Sequence, residues 1–281
     1  MSPDGSSNKV PAVVFDKVCF AFDDHVILRN VSFSIPSGSM RILLGASGAG
    51  KSVLLKLILG LFRPDSGEIL VNGLRVDQMS EIELLRLRGD IGMLFQESAL
   101  FDSLTVAENV GYRLTEETDM PQDQVQQRVE EVLEHIGLRQ YLNRMPSELS
   151  GGQRRRVAIA RAMAAKPSLL LFDDPTVGLD PVTSTTVDDE IVKLRDLSRA
   201  TSIAVTHQIR DAFYWVTHQA VAAVGSAGPP SIVEATEEQA AQVGFMVLHE
   251  GRIYYEGTAA ELRASQDPYL QEFLFMTLPP W

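Results

Sequence analysis

Met40-Arg41-Ile42-Leu43-Leu44-Gly45-Ala46-Ser47-Gly48-Ala49-Gly50-Lys51-Ser52-Val53-Leu54-Leu55-Lys56-Leu57-Ile58 decides the fold of this chain. A short apolar run stops at Gly45, a glycine-rich turn follows, and Val53, Leu54, Leu57, Ile58 and Leu61 then recur at helical spacing. Gly45 to Ser52 satisfies G-x-x-x-x-G-K-[ST] in the strand, loop, helix context that its chemistry needs. Backbone N–H groups of Gly45, Ala46, Ser47, Gly48, Ala49 and Gly50 can turn inward around a phosphate chain, and the helix behind them adds partial positive charge. Lys51 would neutralise β- and γ-phosphate oxygens, and the Ser52 hydroxyl would ligate Mg²⁺. An ordinary glycine turn is the alternative. A chance match in a chain this long is on the order of 1 % before context is counted, so nucleotide binding is the expectation.

The 281 residues make one large domain or two ordinary ones. With 37 acidic and 25 basic residues the net charge is −12, which argues against gripping nucleic acid or an anionic lipid surface by charge alone. Specific partners are expected, and nucleic acid is not among them. Apolar residues at 45 % and charged residues at 22 % exclude wholesale disorder. Cys19 is the single cysteine and cannot pair within the chain, which fits a reducing compartment. There is no run of about 18 apolar residues. Residues 1–9 are polar and Ser-rich without an apolar segment behind them, so no secretory signal is expected and cytoplasm is the default location.

Outward from the glycine turn, residues 12–22 and 26–35 alternate as half-buried antiparallel strands do, and residues 68–71 read as a strand closed by the hairpin signal Asn72-Gly73. From about 98 to 163 the pattern is mainly helical, with Val125, Val129, Val132, Leu133 and Ile136 on one stripe, and a separate helical lobe is expected. Residues 169–172 and 202–206 are apolar runs of strand length with a helical segment, 183–197, between them, the makings of a parallel α/β unit. Residues 218–243 contain Gly228-Pro229-Pro230 and read as an insertion, a flexible loop or a docking surface for a regulator. A strand pair, 245–248 and 252–255, follows. The division expected is a polar tail over 1–10, one domain over 11–262 and an apolar C-terminal tail over 263–281.

The strand ending at Phe172 delivers Asp173 and Asp174 to the carboxyl edge of the sheet, where an α/β site belongs. Asp173 suits a Mg²⁺ carboxylate and Asp174 could polarise an attacking water; alone, the pair would read as a solvated acidic turn before Pro175. Leu149-Ser150-Gly151-Gly152-Gln153 is a second anion-binding helix tip, which a single-site phosphate binder does not need. Together these motifs resemble the ATP-binding cassette (ABC) ATPases, whose signature is LSGGQ. The resemblance runs from about Val13 to Leu262. It implies an α/β P-loop NTPase fold with a RecA-like, mostly parallel sheet core, an N-terminal antiparallel β subdomain and an inserted helical lobe.

It also implies roles, position by position. Phe22 falls where the family stacks an aromatic on adenine, usually Tyr; the bland reading is a buried strand aromatic. Gln96 matches the glutamine that touches Mg²⁺ and the water, Gly178-Leu179-Asp180 the loop whose aspartate crosses a dimer interface, and His207 the switch histidine on the γ-phosphate. His25, His135, His218 and His249 match nothing and read as surface or structural. The usual Glu is replaced by Asp174, one methylene shorter, which predicts slow hydrolysis; the bland alternative is a catalytically dead, ATP-clamped subunit. ATP and Mg²⁺ are the implied cofactors. Two copies would pack head to tail, with Ser150, Gly151, Gly152 and Gln153 of one completing the site of Lys51 in the other.

Since the chain carries no span, its stroke would pass to transmembrane permease subunits through the groove near Gln96, which puts it at the inner face of the cell membrane. Gly92 to Gln96, Ala99 to Val106 and the tail from Asp267 to Leu274 are similar to the ATPase of the Mla/Mce-type lipid transporters. That implies phospholipid movement between bacterial membranes, with a lipid-carrier protein and an accessory regulator as further partners. The alternatives are another transported substrate or a soluble, non-transport ABC protein. Arg154-Arg155-Arg156 reads as a solvated helix face. Tyr269, Leu270, Phe273, Leu274 and Leu278 form an apolar stripe, ending in Pro279-Pro280-Trp281, that packs on its own domain or on a second subunit.

Overall fold

The computed structural model describes residues 10–221 and 230–277. Strands β1 (Val13–Phe22) and β2 (His25–Ile35) pair antiparallel from Val13↔Ile35 to Phe22↔His25. They are interrupted by bulges where Lys17 and Asn30 adopt positive φ. β3 (Met40–Leu44) leads through the glycine turn into α1 (Lys51–Ile58); Leu61 lies past the end of that helix and is exposed. β4 (Ser66–Val71) and β5 (Leu74–Arg75) form the expected hairpin because Asn72 and Gly73 both take positive φ, as a two-residue turn of matching twist requires. β2, β1, β4 and β5 make one four-stranded sheet.

α2 (Glu81–Arg88), capped by Ser80 and Glu83, precedes β6 (Ile91–Leu94). Three helices follow: α3 (Val106–Glu117), α4 (Gln122–His135) and α5 (Gly151–Ala164). They bury one core of their own, built from Val106, Val110, Val125, Val129, Val132 and Leu133 against Val157 and Ala160 of α5. Ala158 and Ile159, on the other side of α5, pack into the sheet core, so this one helix bolts the helical unit to the rest.

The large sheet is completed by β7 (Leu169–Asp173), α6 (Pro181–Ser198), β8 (Thr201–Thr206), α7 (Ile209–Thr217) and, after a separate two-stranded sheet of β9 (His218–Val221) and β10 (Ser231–Glu234) and the short α8 (Glu237–Ala240), by β11 (Val243–His249) and β12 (Arg252–Thr258). Then come α9 (Ala259–Ala264) and α10 (Pro268–Thr277). Its six strands run β12-β11-β3-β8-β7-β6, all parallel except β12. Every residue of β7 and β8 is buried, because both sheet faces are covered. Leu43, Leu171, Ile203 and Val205 face α1 and the first sheet, whereas Ile42, Leu44, Phe172 and Ala204 face α6 and α7.

One sequence expectation is corrected, and one open choice is settled. The region 218–243 is not a loop at its ends: β9 and β10 pair antiparallel from Ser231↔Val221 to Glu234↔His218. Tertiary bonds hold that hairpin: Arg195 of α6 donates to the carbonyls of Trp215 and His218, and Asp196 accepts from the Ala220 N–H. Gly228 and Pro229 lie outside the described residues. In the tail, Leu270 and Leu274 are buried in the core shared with α7, and Tyr269 and Phe273 pack beside them. The stripe therefore covers its own domain; Leu278 and residues 279–281 lie outside the described residues.

Asp188 of α6 is wholly buried and accepts from Trp215 Nε1 at 2.8 Å. Its Oδ2 and Oδ1 of nearby Asp211 are both buried without a hydrogen-bond partner. Burial, reinforced by the charge of Asp211, pushes the Asp188 carboxyl up to about 8. A raised folded-state value means stability is fullest at low pH and is lost progressively as pH rises toward 8. Asp188→Asn keeps the acceptor for Trp215 without the charge. Its gain in Tm should be larger at pH 8.5 than at pH 5 by roughly 5 °C or more in thermal melts; equal gains at the two values would show that Asp188 ionises freely.

Candidate nucleotide site

The turn from Gly45 to Ser52 has the geometry that a phosphate cradle requires. Gly48 and Gly50 take φ of 77° and 102°, which side-chain-bearing residues rarely adopt. A Cβ on Gly45 would meet the Leu248 carbonyl at 2.6 Å, and one on Gly50 would meet Ile27 at 2.7 Å. Lys51 is buried and arches over the turn, its Nζ donating to the carbonyls of Gly45 at 2.9 Å and Ala46 at 3.0 Å. Burial depresses its pKa, against the opposing pull of Asp174 and Asp173.

Parallel pairing sets the acidic residues opposite this turn. Asp173 ends β7 in register with Val205, and its Oδ1 accepts the Ser52 hydroxyl at 2.8 Å. Burial raises the Asp173 pKa, and the Ser52 bond works the other way. A hydroxyl and a carboxylate, both hard oxygen donors, are joined where a helix N-terminus meets a sheet edge. That set fits Mg²⁺ shared with phosphate oxygens.

Asp174 has a φ of 43° and is tied by its N–H to the Val205 carbonyl. Its Oδ1 accepts the backbone N–H of His207 at 3.1 Å and lies 2.8 Å from His207 Nδ1. Gln96 lies two residues past β6, whose Leu94 pairs with Phe172, so it emerges at the same sheet edge. Lys51, Ser52, Gln96, Asp173, Asp174 and His207, drawn from four segments of the chain, are thus brought together by strand order.

Ser150, Gly151, Gly152 and Gln153 form a second group. Ser150 caps α5 by accepting the Gln153 N–H, and Gln153 Oε1 accepts the Ser150 N–H at 2.9 Å. A Cβ on Gly152 would lie 2.1 Å from Thr183 of α6, so only glycine allows this approach. Asp180 is itself the cap of α6, accepting the N–H groups of Val182 and Thr183, each at 3.1 Å. No hydrogen bond among the described residues joins Ser150–Gln153 to the turn around Lys51. Phe22 is 45 % exposed, edge-on to Phe20 and Phe62, so the buried-aromatic reading fails.

Residues 28–177 match the ABC transporter family. The chain belongs to that family. It is 38 % identical to Protein TRIGALACTOSYLDIACYLGLYCEROL 3, chloroplastic, of Arabidopsis thaliana, over 90 % of this chain and 70 % of that protein. It is 35 % identical to the Intermembrane phospholipid transport system ATP-binding protein MlaF of Escherichia coli (strain K12), over 92 % of this chain and 86 % of that one. Among solved structures, the dimeric ATP-binding cassette MJ0796 in a post-hydrolysis state with ADP and Pi has a TM-score of 0.71 at 29 % identity, covering 88 % of this chain and 98 % of that chain.

As an ABC cassette the chain is an ATP hydrolase, and its α/β core is the P-loop fold of that family. One expectation about the cassette is overturned. Arg154, Arg155 and Arg156 are not a solvated face: their guanidinium groups donate to the carbonyls of Leu149, of Phe95 and Gln96, and of Ile136. The signal was in the sequence as spacing, since Gly152, Arg155, Ile159 and Ala162 recur at three and four residues along the buried side of α5.

Proposed function

We propose that this cassette works as one of a head-to-tail pair that closes around two ATP molecules and drives transmembrane permease subunits moving phospholipid between membranes. The observation that carries the pairing is the separation of the two groups within one chain. The Lys51 turn offers N–H groups to a phosphate chain from one side, whereas the α5 tip offers Gly151 and Gly152, whose N–H groups lie in the first turn of a helix and so have no partner within it, beside the Asp180 turn. Sequence likeness to the Arabidopsis and Escherichia coli proteins over nine-tenths of the chain supports the lipid class.

The residues divide the work as follows. Lys51 exchanges its two loop carbonyls for β- and γ-phosphate oxygens, which favour its charged form. Ser52 and Asp173 would hold Mg²⁺, with Gln96 beside them, and the ion would supply positive charge to the phosphate oxygens. Asp174 Oδ1 is engaged twice by His207, which leaves Oδ2 to polarise the attacking water. Nε2 is the nitrogen of His207 left for a γ-phosphate oxygen. Phe22 offers its open ring to adenine. Asp180, already rigid as a cap, faces the partner copy.

Among the described residues no helix is long and apolar enough to cross a membrane. A peripheral place on the inner face of the membrane, through the permease, follows from this reading, and a lipid carrier and a regulator complete the assembly. The test is affinity purification of the tagged full chain from its native membranes. Recovery of a permease together with a lipid-carrying protein is expected; recovery of a permease with a carrier for a water-soluble substrate would discard the lipid class.

A further inference from the structure

The segment leaving β6 toward the helical unit is held in an unusual path. Ser98 and Ala99 are consecutive non-glycine residues at positive φ, 65° and 47°. Single residues of this kind are uncommon and two in a row more so. What holds them is on α5. Arg155 Nη1 donates to the Phe95 carbonyl at 2.9 Å and also to that of Gln96. Six residues later, Arg161 Nη2 and Nη1 donate to the carbonyls of Ser98 at 2.9 Å and Ala99 at 2.6 Å. Four carbonyls of a five-residue stretch are thus gripped by two guanidinium groups from one helix. The same Arg155 reaches the Val177 carbonyl at 3.4 Å, on the turn that leads to Asp180.

This grip is expensive. Arg155 is 5 % exposed and its Nε is buried without a partner. Every hydrogen bond that its guanidinium makes goes to a neutral carbonyl, so no carboxylate offsets its desolvation. Arg161 also lies over the ring of Phe101, 5.9 Å from its centroid, and Phe101 is partly exposed against Tyr112. A packing role alone would be served as well by an apolar side chain of similar volume. Planar forks that match pairs of carbonyls do something an apolar chain cannot: they fix the backbone of Gln96 relative to the helix whose tip is Ser150–Gly152.

We infer that Arg155 and Arg161 are positioning residues, a two-pronged clamp by which the signature helix sets Gln96 at the edge of the nucleotide site and ties it to the Asp180 turn. A shift of the α5 tip against a partner's nucleotide therefore moves Gln96 of its own copy. The inference rests on the role given to Gln96 above.

The test uses the purified full chain. Arg155→Lys and Arg161→Lys keep the stem and charge in the slot, so the fold is retained, but each loses the fork. Binding of a non-hydrolysable ATP analogue should stay within about 2-fold of the parent, while kcat falls roughly 10-fold with little change in KM, because an interaction used in turnover has been loosened and not one used in binding. On a Gln96→Ala background the same two changes should lower kcat by less than about 2-fold, since the residue they position is gone. Parental kcat in both lysine variants would overturn the clamp, as would an undiminished loss on the Gln96→Ala background. Parental kcat in Gln96→Ala alone would instead remove the role of Gln96, a separate and recognisable failure. Should a lysine variant prove unfolded, Arg155→Gln and Arg161→Gln are read by the same two criteria.

Discussion

Lys51→Ala should leave a folded chain whose affinity for MgATP is at least about 100-fold weaker and whose hydrolysis is lost, since each charge-assisted hydrogen bond to a phosphate oxygen contributes about 1.5–3 kcal/mol. The structure shows why the loss would be local. The Lys51 ammonium is buried, and its hydrogen-bond partners are the carbonyls of Gly45 and Ala46, groups of the very turn it serves. Burial already works against its charge, so removing it sacrifices little folding stability. It also strips a buried ammonium that, with Lys56, offsets the charge of Asp173, and the Asp173 carboxyl, already raised by burial, would rise further and hold Mg²⁺ less well. Isothermal titration with ATP and a thermal melt in its absence separate the two effects. Retained affinity would mean that the phosphates are held elsewhere, and a Tm lowered by many degrees would mean that Lys51 is mainly structural.

Asp174→Asn should lower turnover by about 10³-fold while leaving ATP affinity unchanged or tighter, and the ATP-bound chain should accumulate as a dimer. The substitution is clean for a reason visible in the backbone. Asp174 has a φ of 43°, a conformation that Asn tolerates as readily as Asp, so the turn and its bonds to Val205 and His207 survive. What disappears is the negative charge, and with it the ability to polarise water. Asp174→Glu tests the same point in the other direction: a carboxylate one methylene longer reaches further toward the γ-phosphate, and turnover should rise by about 10-fold. Single-turnover hydrolysis and light scattering with ATP give both readouts. If Asp174→Asn hydrolyses at the parental rate, the water is activated by another group.

Much of this arrangement is legible along the chain. Gly45 to Ser52 can be recognised because a strand, a glycine turn and a helix leave few other uses for that order of residue types, and Asp173 because an apolar run of strand length ends on it. The β4–β5 hairpin follows from Asn72-Gly73, whose positive φ values are local chemistry. Other elements are not legible, each for an identifiable reason. The strands β9 and β10 are only four residues long, and Arg195 and Asp196 of α6 satisfy the backbone around them. Arg155 looks like one more surface charge until α5 is laid on the segment after β6. Leu270 and Leu274 show an apolar face but not what covers it; the core around α7 settles that.

The sequence by itself determined the chemistry available: a phosphate turn, a hydroxyl, two adjacent carboxylates, a histidine and a serine-glycine helix tip, because each is set by residue type and near-neighbour spacing. Only the tertiary structure decided which of these meet. Ser52 and Asp173 are far apart in sequence and 2.8 Å apart in space because β3, β8, β7 and β6 lie side by side in parallel register, and strand order is a property of long-range packing that no local pattern encodes. The same packing turned three arginines inward and made one of them a brace for Gln96, since a buried carbonyl must find a donor wherever the fold supplies one.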